Sequence, residues 1–343
     1  MTVSIALCSY NGATYIGDQL RSILAQSVLP SEIVIGDDLS TDDTVALVHE
    51  VAENSTVPIV LTQNASRLGV SRNFEATIGR CSGEIIFTCD QDDLWDPIKI
   101  ETTLAAFTSD ARAQLVFTDA DIVDADGVPT GQSLWESIGF DSSRREMFRS
   151  GSQVEVLYQE HIATGAAMAF RRELCDVALP FPAPFLLRPN GNPVIHDGWL
   201  ALVAAATSSV AFVEDRLIRY RKHAGQQIGP PESSPTIVDA PSPTVGSSFH
   251  IWTLRALLEI SERHRQAGHN MESNDILSIV ARYGSASLEQ TSDYTLGLES
   301  QLAVAADCCR HLNQVLDRRI YRIATRIQRS VDHVLHRTAE SNG

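Results

Sequence analysis

The chain has 343 residues, enough for one large domain or two smaller ones, with 43% hydrophobic and 20% charged residues. Its formal net charge is -16. That balance argues against a nucleic-acid partner, which calls for a basic face, and no stretch approaches the ~20 apolar residues that a membrane span requires.

The first 120 residues alternate between short apolar runs and helical spacing. Val3 to Cys8 reads as a buried strand. Ile16, Leu20, Ile23 and Leu24 follow at helical spacing until Pro30. Glu32 to Gly36 is the next strand. A second helix runs from Asp42 to Val51, with Ser40 or Thr41 as its cap and Asp42 and Asp43 in its first turn. Pro58 to Leu61, Glu84 to Cys89 and Gln114 to Thr118 are further strands, and Val70 to Ile78 is a helix. Pro97 falls in the first turn of another helix. Residues 121–160 suggest loops plus a helix. His161 to Phe170 reads as strand, Trp199 to Ala206 as helix and Ser209 to Val213 as strand. The Pro/Ser-rich stretch 229–248 has the composition of a linker or loop, and 249–343 reads as a helical C-terminal region.

Strand and helix in this alternation predict βαβ units: an α/β fold with a doubly wound, mostly parallel sheet and helices on both faces. Ligands of such sheets bind beyond the carboxyl ends of the strands. Three polar clusters fall there: Ser9-Tyr10-Asn11, Asp37-Asp38, and Asp90-Gln91-Asp92-Asp93.

Hard cations take oxygen ligands, and Mg²⁺ commonly uses one or two carboxylates with phosphates and water completing its shell. The run from Asp90 to Asp93 suits that chemistry. As a sequence pattern it equally suits a solvated acidic turn ahead of the Pro97 helix. Asp197 opens an apolar helical run, where an acidic side chain serves as a helix cap or as a general base. The cysteines, Cys8, Cys81, Cys89, Cys175, Cys308 and Cys309, have no CxxC spacing and read as free thiols. The N-terminus lacks the charged and apolar regions of a signal peptide.

The segments SYNGATYIGDQLRSILAQS (9–27), DDLSTDDT (37–44), DQDDLW (90–95), TGAAMAF (164–170), HDGW (196–199) and YRKH (220–223) together resemble family 2 of the inverting glycosyltransferases. They stand in that family's order and resemble most its rhamnosyltransferase-like bacterial branch. The resemblance implies a GT-A fold over residues 1–228. It implies a nucleotide-sugar donor, a divalent metal (Mg²⁺ or Mn²⁺), and a glycan or lipid-linked acceptor. By the same resemblance Tyr10 and Asn11 border the nucleobase, Asp38 accepts from it, and Ser9 belongs to the donor site. Asp92 lies near the ribose, and Arg72 and Gly165 join the donor site. Asp93 holds the metal with Asp90, His223 is a further metal or diphosphate contact, and Asp197 is the catalytic base. Leu39 departs from the family, which usually has Gly there.

Three other readings share parts of this pattern. A nucleotidyltransferase making nucleotide sugars would carry a Gly-rich loop with Arg and Lys near the N-terminus, which SYNGATYIG does not offer. A receiver-like module would place a Lys after its last strand, and neither Lys99 nor Lys222 fits. A noncatalytic sugar-binding domain is the third. The segment 310–337 has seven Arg against Asp317 and Asp332, with apolar residues at helical spacing. It reads as a helix packed on the domain or as a peripheral contact with anionic lipid. The latter suits a cytoplasmic protein at the inner face of the cell membrane.

Overall fold

The computed structural model describes residues 1–159, 161–182 and 194–226, with a few residues between 256 and 268. The described residues up to 226 belong to one compact unit and those between 256 and 268 to a second. The linker 229–248 and the basic arm 310–337 lie outside the described residues.

In chain order the first unit comprises β1 (Val3–Ser9), α1 (Ile16–Leu24), β2 (Glu32–Asp37), α2 (Thr44–Glu53), β3 (Ile59–Gln63), α3 (Val70–Ile78), β4 (Ile85–Asp90), β5 (Leu94–Trp95) and α4 (Lys99–Ser109). It continues through β6 (Ala113–Val123), β7 (Pro129–Ser133), α5 (Leu134–Ile138), α6 (Ser142–Arg149), α7 (Gln153–Gln159), β8 (Met168–Arg171), α8 (Cys175–Ala178), α9 (His196–Thr207) and β9 (Ser209–Arg221).

The strands form one sheet in the order β3-β2-β1-β4-β8-β6-β9-β5, with β7 paired to β6. β1, β2, β3 and β4 are parallel neighbours, and β6 and β9 are parallel to each other. β8 runs antiparallel to both β4 and β6. The sheet is therefore mostly parallel, as its βαβ spacing requires.

Alternation along the strands sorts the two faces. Ile5, Leu7, Ile33, Ile35, Ile85 and Phe87 enter a core with Ile16, Leu20 and Ile23 of α1, Val48 of α2, and Ile100 and Phe107 of α4. The intervening residues meet α3 on the other face. There Cys8 Sγ lies 3.6 Å from Thr77 Oγ1, and Asn73 Nδ2 donates to Gly36 O at 2.7 Å. A Cβ at Gly36 would come within 2.0 Å of Thr77 Oγ1, so this close approach of helix to strand requires glycine.

Several local expectations shift. α2 starts at Thr44, with Asp43 at the cap position making no side-chain bond there. Ser40 and Thr41 are drawn instead to Asp37 and Asn11. α4 starts at Lys99, which leaves Pro97 just outside, where its carbonyl accepts from the Ser27 N–H. Residues 121–160 hold the end of β6, a hairpin strand and three short helices. The strand expected over His161 to Phe170 shrinks to Met168–Arg171. Gly165–Ala167 instead forms a 3-10 turn, because the Gly165 N–H is used by Asp197.

Candidate active site

Parallel register brings the polar strand ends together: Cys8 pairs with Asp90, and Ser9 with Asp37. Ser9 Oγ donates to Asp37 Oδ1 at 2.9 Å. Asp37 also accepts from Ser40 N–H and Gln63 Nε2, so its carboxylate closes the turn after β2. That turn places Leu39 at φ 66, the left-handed conformation that glycine adopts without cost. The turn geometry is thus kept, with a side chain in place of the family's usual Gly. Asn11, also at positive φ (48), grips the same turn: its N–H donates to Ser40 Oγ, and its Oδ1 accepts from Thr41 N–H, both at 2.8 Å.

Asp38 is buried and heavily engaged. Its Oδ1 accepts from Leu68 N–H at 2.7 Å and Asn64 Nδ2 at 3.1 Å, and its Oδ2 from Gly69 N–H at 2.9 Å. Arg67 Nε lies 3.7 Å from Oδ2. Of about four lone-pair positions on the carboxylate, one on Oδ2 is left for a ligand. The Arg67 guanidinium stacks over the Tyr10 ring at 3.5 Å. Tyr10, Arg67 and Asp38 make a flat, polar-edged platform. Arg67 was not singled out from sequence, because nothing local marks that arginine as a partner of Tyr10. Arg72 behaves otherwise: its guanidinium is taken up by Glu75 (2.6 Å) and Phe181 O (3.1 Å), joining α3 to the 181 segment.

The acidic run is held at both ends. The Gln91 amide spans Tyr10, accepting from its N–H at 2.9 Å and donating to its carbonyl at 3.1 Å. β5 pairs antiparallel with β9, Leu94 opposite Arg219, which carries the end of β9 to the run. There Arg221 Nε donates to Asp92 O at 2.8 Å, and Arg221 N–H to Asp93 Oδ1 at 3.0 Å.

Asp92 and Asp93 point apart. Asp92 Oδ2 lies 2.9 Å from His223 Nε2, whose ring rests 4.7 Å from that of Tyr15. Asp93 faces inward, 2% exposed, and its Oδ2 has no partner. Burial pushes the Asp93 carboxyl well above its ordinary range, with Asp92 and Asp90 adding to the rise. Burial likewise raises Asp90, helped by the charges of Asp92 and Asp197. Beneath them Lys99 is fully buried, donating to Ala166 O at 2.9 Å and lying over the Trp95 ring at 3.9 Å. No group of three or more His, Cys, Asp or Glu among the described residues is arranged to hold a metal. What the structure offers is the oxygen–imidazole pair Asp92 and His223, a donor set suited to a divalent ion that phosphates complete.

Asp197 sits at the start of α9, 3% exposed. Thr88 Oγ1 on β4 donates to Gly165 O at 2.5 Å, and the Gly165 N–H donates to Asp197 Oδ2 at 2.9 Å, which ties the carboxylate to the acidic rim. Gly198 N–H donates to Oδ1 at 2.6 Å. His161 Nε2 lies 2.6 Å from Oδ2. Burial alone would raise this carboxyl; the charge and hydrogen bond of His161, with His196 and the Gly198 N–H, outweigh it and hold Asp197 well below the usual range. Asp197 is both the helix-starting acid and an inward-turned carboxylate. The His161 partnership was invisible in the sequence.

The rim of this mixed α/β sheet thus carries the Asp92–His223 pair and, apart from it, the buried carboxylate of Asp197. The profile described as "Glycosyl transferase family 2" matches residues 4–178, and the chain belongs to that family. It is 27% identical over 233 residues to an uncharacterized glycosyltransferase of Nostoc, covering 65% of each chain. It is 30% identical over 144 residues to the putative teichuronic acid biosynthesis glycosyltransferase TuaG of Bacillus subtilis, covering 41% of this chain and 56% of that one. The matches thus span about three fifths of the length of these curated relatives. Among solved structures, S. aureus TarS 1-349 in complex with UDP-GlcNAc superposes with a TM-score of 0.53 at 16% identity, over 97% of this chain and 89% of that one. No helix among the described residues is long and apolar enough to cross a membrane.

Proposed function

We propose that this protein transfers a sugar from a nucleoside-diphosphate donor to an acceptor hydroxyl by a single displacement with inversion. The observation carrying this reading is the division of the rim: Asp92 with His223 on one side, and Asp197, linked through Gly165 to β4, on the other. Ser9, Tyr10 and Asn11 border the nucleobase, with Arg67 stacked over Tyr10 and Asp38 offering its remaining lone pair. Asp92 and His223 hold the divalent cation, Mg²⁺ or Mn²⁺, with Asp90 behind them. Asp93 holds the Arg221 N–H with Oδ1 and keeps its buried Oδ2 unpartnered, which suits it as a further ligand. When bound there, a divalent cation would supply charge neutralisation for the departing diphosphate. Gly165 fits the sugar side, close against the base, where a Cβ would sit 3.1 Å from His196 Nε2 and 3.4 Å from Asp197 Oδ2. Asp197 receives the proton of the acceptor hydroxyl, a contribution of about 10²–10⁴-fold.

The finer assignments rest on resemblance. The motif set favours a rhamnosyltransferase-like enzyme with a dTDP-rhamnose or UDP-sugar donor, acting on a cell-surface glycan or lipid-linked precursor. The domain is taken as 1–228, with the basic arm 310–337 as its contact with the cytoplasmic membrane face.

The test is a thermal-shift and transfer assay with UDP- and dTDP-sugars, with and without Mn²⁺. Donor at about 100 times Kd stabilises the native state by about 2.7 kcal/mol. Asp92→Ala is expected to lose the metal-dependent part of that shift. Asp197→Asn keeps the shift and loses transfer; transfer at the wild-type rate in Asp197→Asn would refute the assignment of the base.

A further inference from the structure

His161 lies outside every motif that pointed to the donor site, yet its Nε2 lies 2.6 Å from Asp197 Oδ2. The two residues differ sharply in access. The Asp197 side chain is 5% exposed and the His161 side chain 32%. The remaining bonds of the carboxylate are fixed backbone N–H groups, Gly165 on Oδ2 and Gly198 on Oδ1. A carboxylate gripped by three donors is well oriented but weakly basic. Among the described contacts the imidazole is the only side chain that holds it, and it is itself partly exposed.

We propose that His161 is a positioning residue for Asp197: its Nε2–H holds Oδ2 so that the carboxylate is aimed at the acceptor hydroxyl whose proton it receives. This rests on the reading of Asp197 as the base. Through the reaction His161 donates its Nε2–H to Oδ2. The acceptor oxygen bonds to the anomeric carbon as the bond from that carbon to the diphosphate oxygen breaks. The acceptor proton passes to Asp197, which leaves the step as the carboxylic acid and then returns the proton to water. Among the described residues the other ionisable groups that act on Asp197 include His196, beside it on α9, Asp90, at the end of β4, and Tyr220 on β9.

The experiment uses the whole chain with Mn²⁺, and UDP-GlcNAc, UDP-glucose and dTDP-rhamnose as donors. Release of nucleoside diphosphate to water is followed. His161→Ala is expected to lower kcat about 100-fold and leave the donor KM unchanged, and His161→Gln, which keeps an N–H donor, to recover most of that loss. Unchanged kcat in His161→Ala, while Asp197→Asn is inactive, overturns the positioning role and leaves the base assignment standing. Full activity of Asp197→Asn overturns the base assignment itself. The donor-induced thermal shift of His161→Ala is expected to equal that of the wild type, and loss of that shift overturns the proposal.

Discussion

Replacing Gly12 with alanine tests how the acidic run is anchored. Gly12 has no positive φ, so alanine meets no backbone penalty there. The obstacle is Gln91: a Cβ at position 12 would lie 2.1 Å from its Oε1 and 2.4 Å from its Cδ. The side chain must leave, and with it go both bonds to the Tyr10 backbone, at 2.9 and 3.1 Å. At about 1 kcal/mol for each bond the loss is about 2 kcal/mol. The lower entropy of the unfolded alanine chain returns about 0.5 kcal/mol. The net cost corresponds to a fall in Tm of about 3–6 °C for a unit of this size. Gln91 is flanked by Asp90 and Asp92, so metal-dependent donor binding should weaken as well. The reasoning makes a sharper demand in the Gln91→Ala background, where nothing remains to clash. There Gly12→Ala should be neutral or slightly stabilising, so the two substitutions are strongly non-additive. Urea unfolding of the wild type, both single variants and the double variant measures this. An equal cost of Gly12→Ala in both backgrounds would refute the anchoring role of Gln91.

Leu39→Gly should raise Tm, because Leu39 is 39% exposed and occupies φ 66, a conformation costing about 1–2 kcal/mol for a residue with a side chain; a lower melting temperature would show that the leucine contributes packing that outweighs this cost. Burial pushes the Lys99 amine down to about 7 against the opposing charges of Cys89, Asp93 and Asp90. Its ordinary value is about 10.4, so between those limits the unfolded chain binds more protons and stability rises with pH. Lys99→Met should lack that rise, so the wild type gains on the variant from about pH 7 to about pH 9. Parallel urea midpoints of the two proteins across that range would count against it.

Much of the fold was legible in the sequence because its signals are local. The helix at Val70–Ile78 and the strands beginning at Val3 and Glu32 follow from spacing alone, since each buries one side of a regular backbone. Parallel topology then follows from strand–helix alternation, and with it the gathering of Ser9, Asp37 and Asp90 on one rim. Family membership was legible for the same reason, as short motifs in a fixed order. The stretch from His161 to Phe170 misled because its apolar residues suit a strand as well as a turn. Only the demand of Asp197 for the Gly165 N–H decides between them.

The sequence by itself determined which residues carry charge at the strand ends; which way each of them turns was decided by contacts distant along the chain. Asp92 and Asp93 are indistinguishable as neighbours in DQDD. They part because β9 returns beside β5, so that Arg221 draws Asp93 inward and His223 meets Asp92 across 131 residues. Arg67 over Tyr10 and His161 against Asp197, 36 residues apart, are of the same kind. Periodicity reports which side of an element is buried, whereas the partner of a buried charge depends on which elements the sheet order makes neighbours.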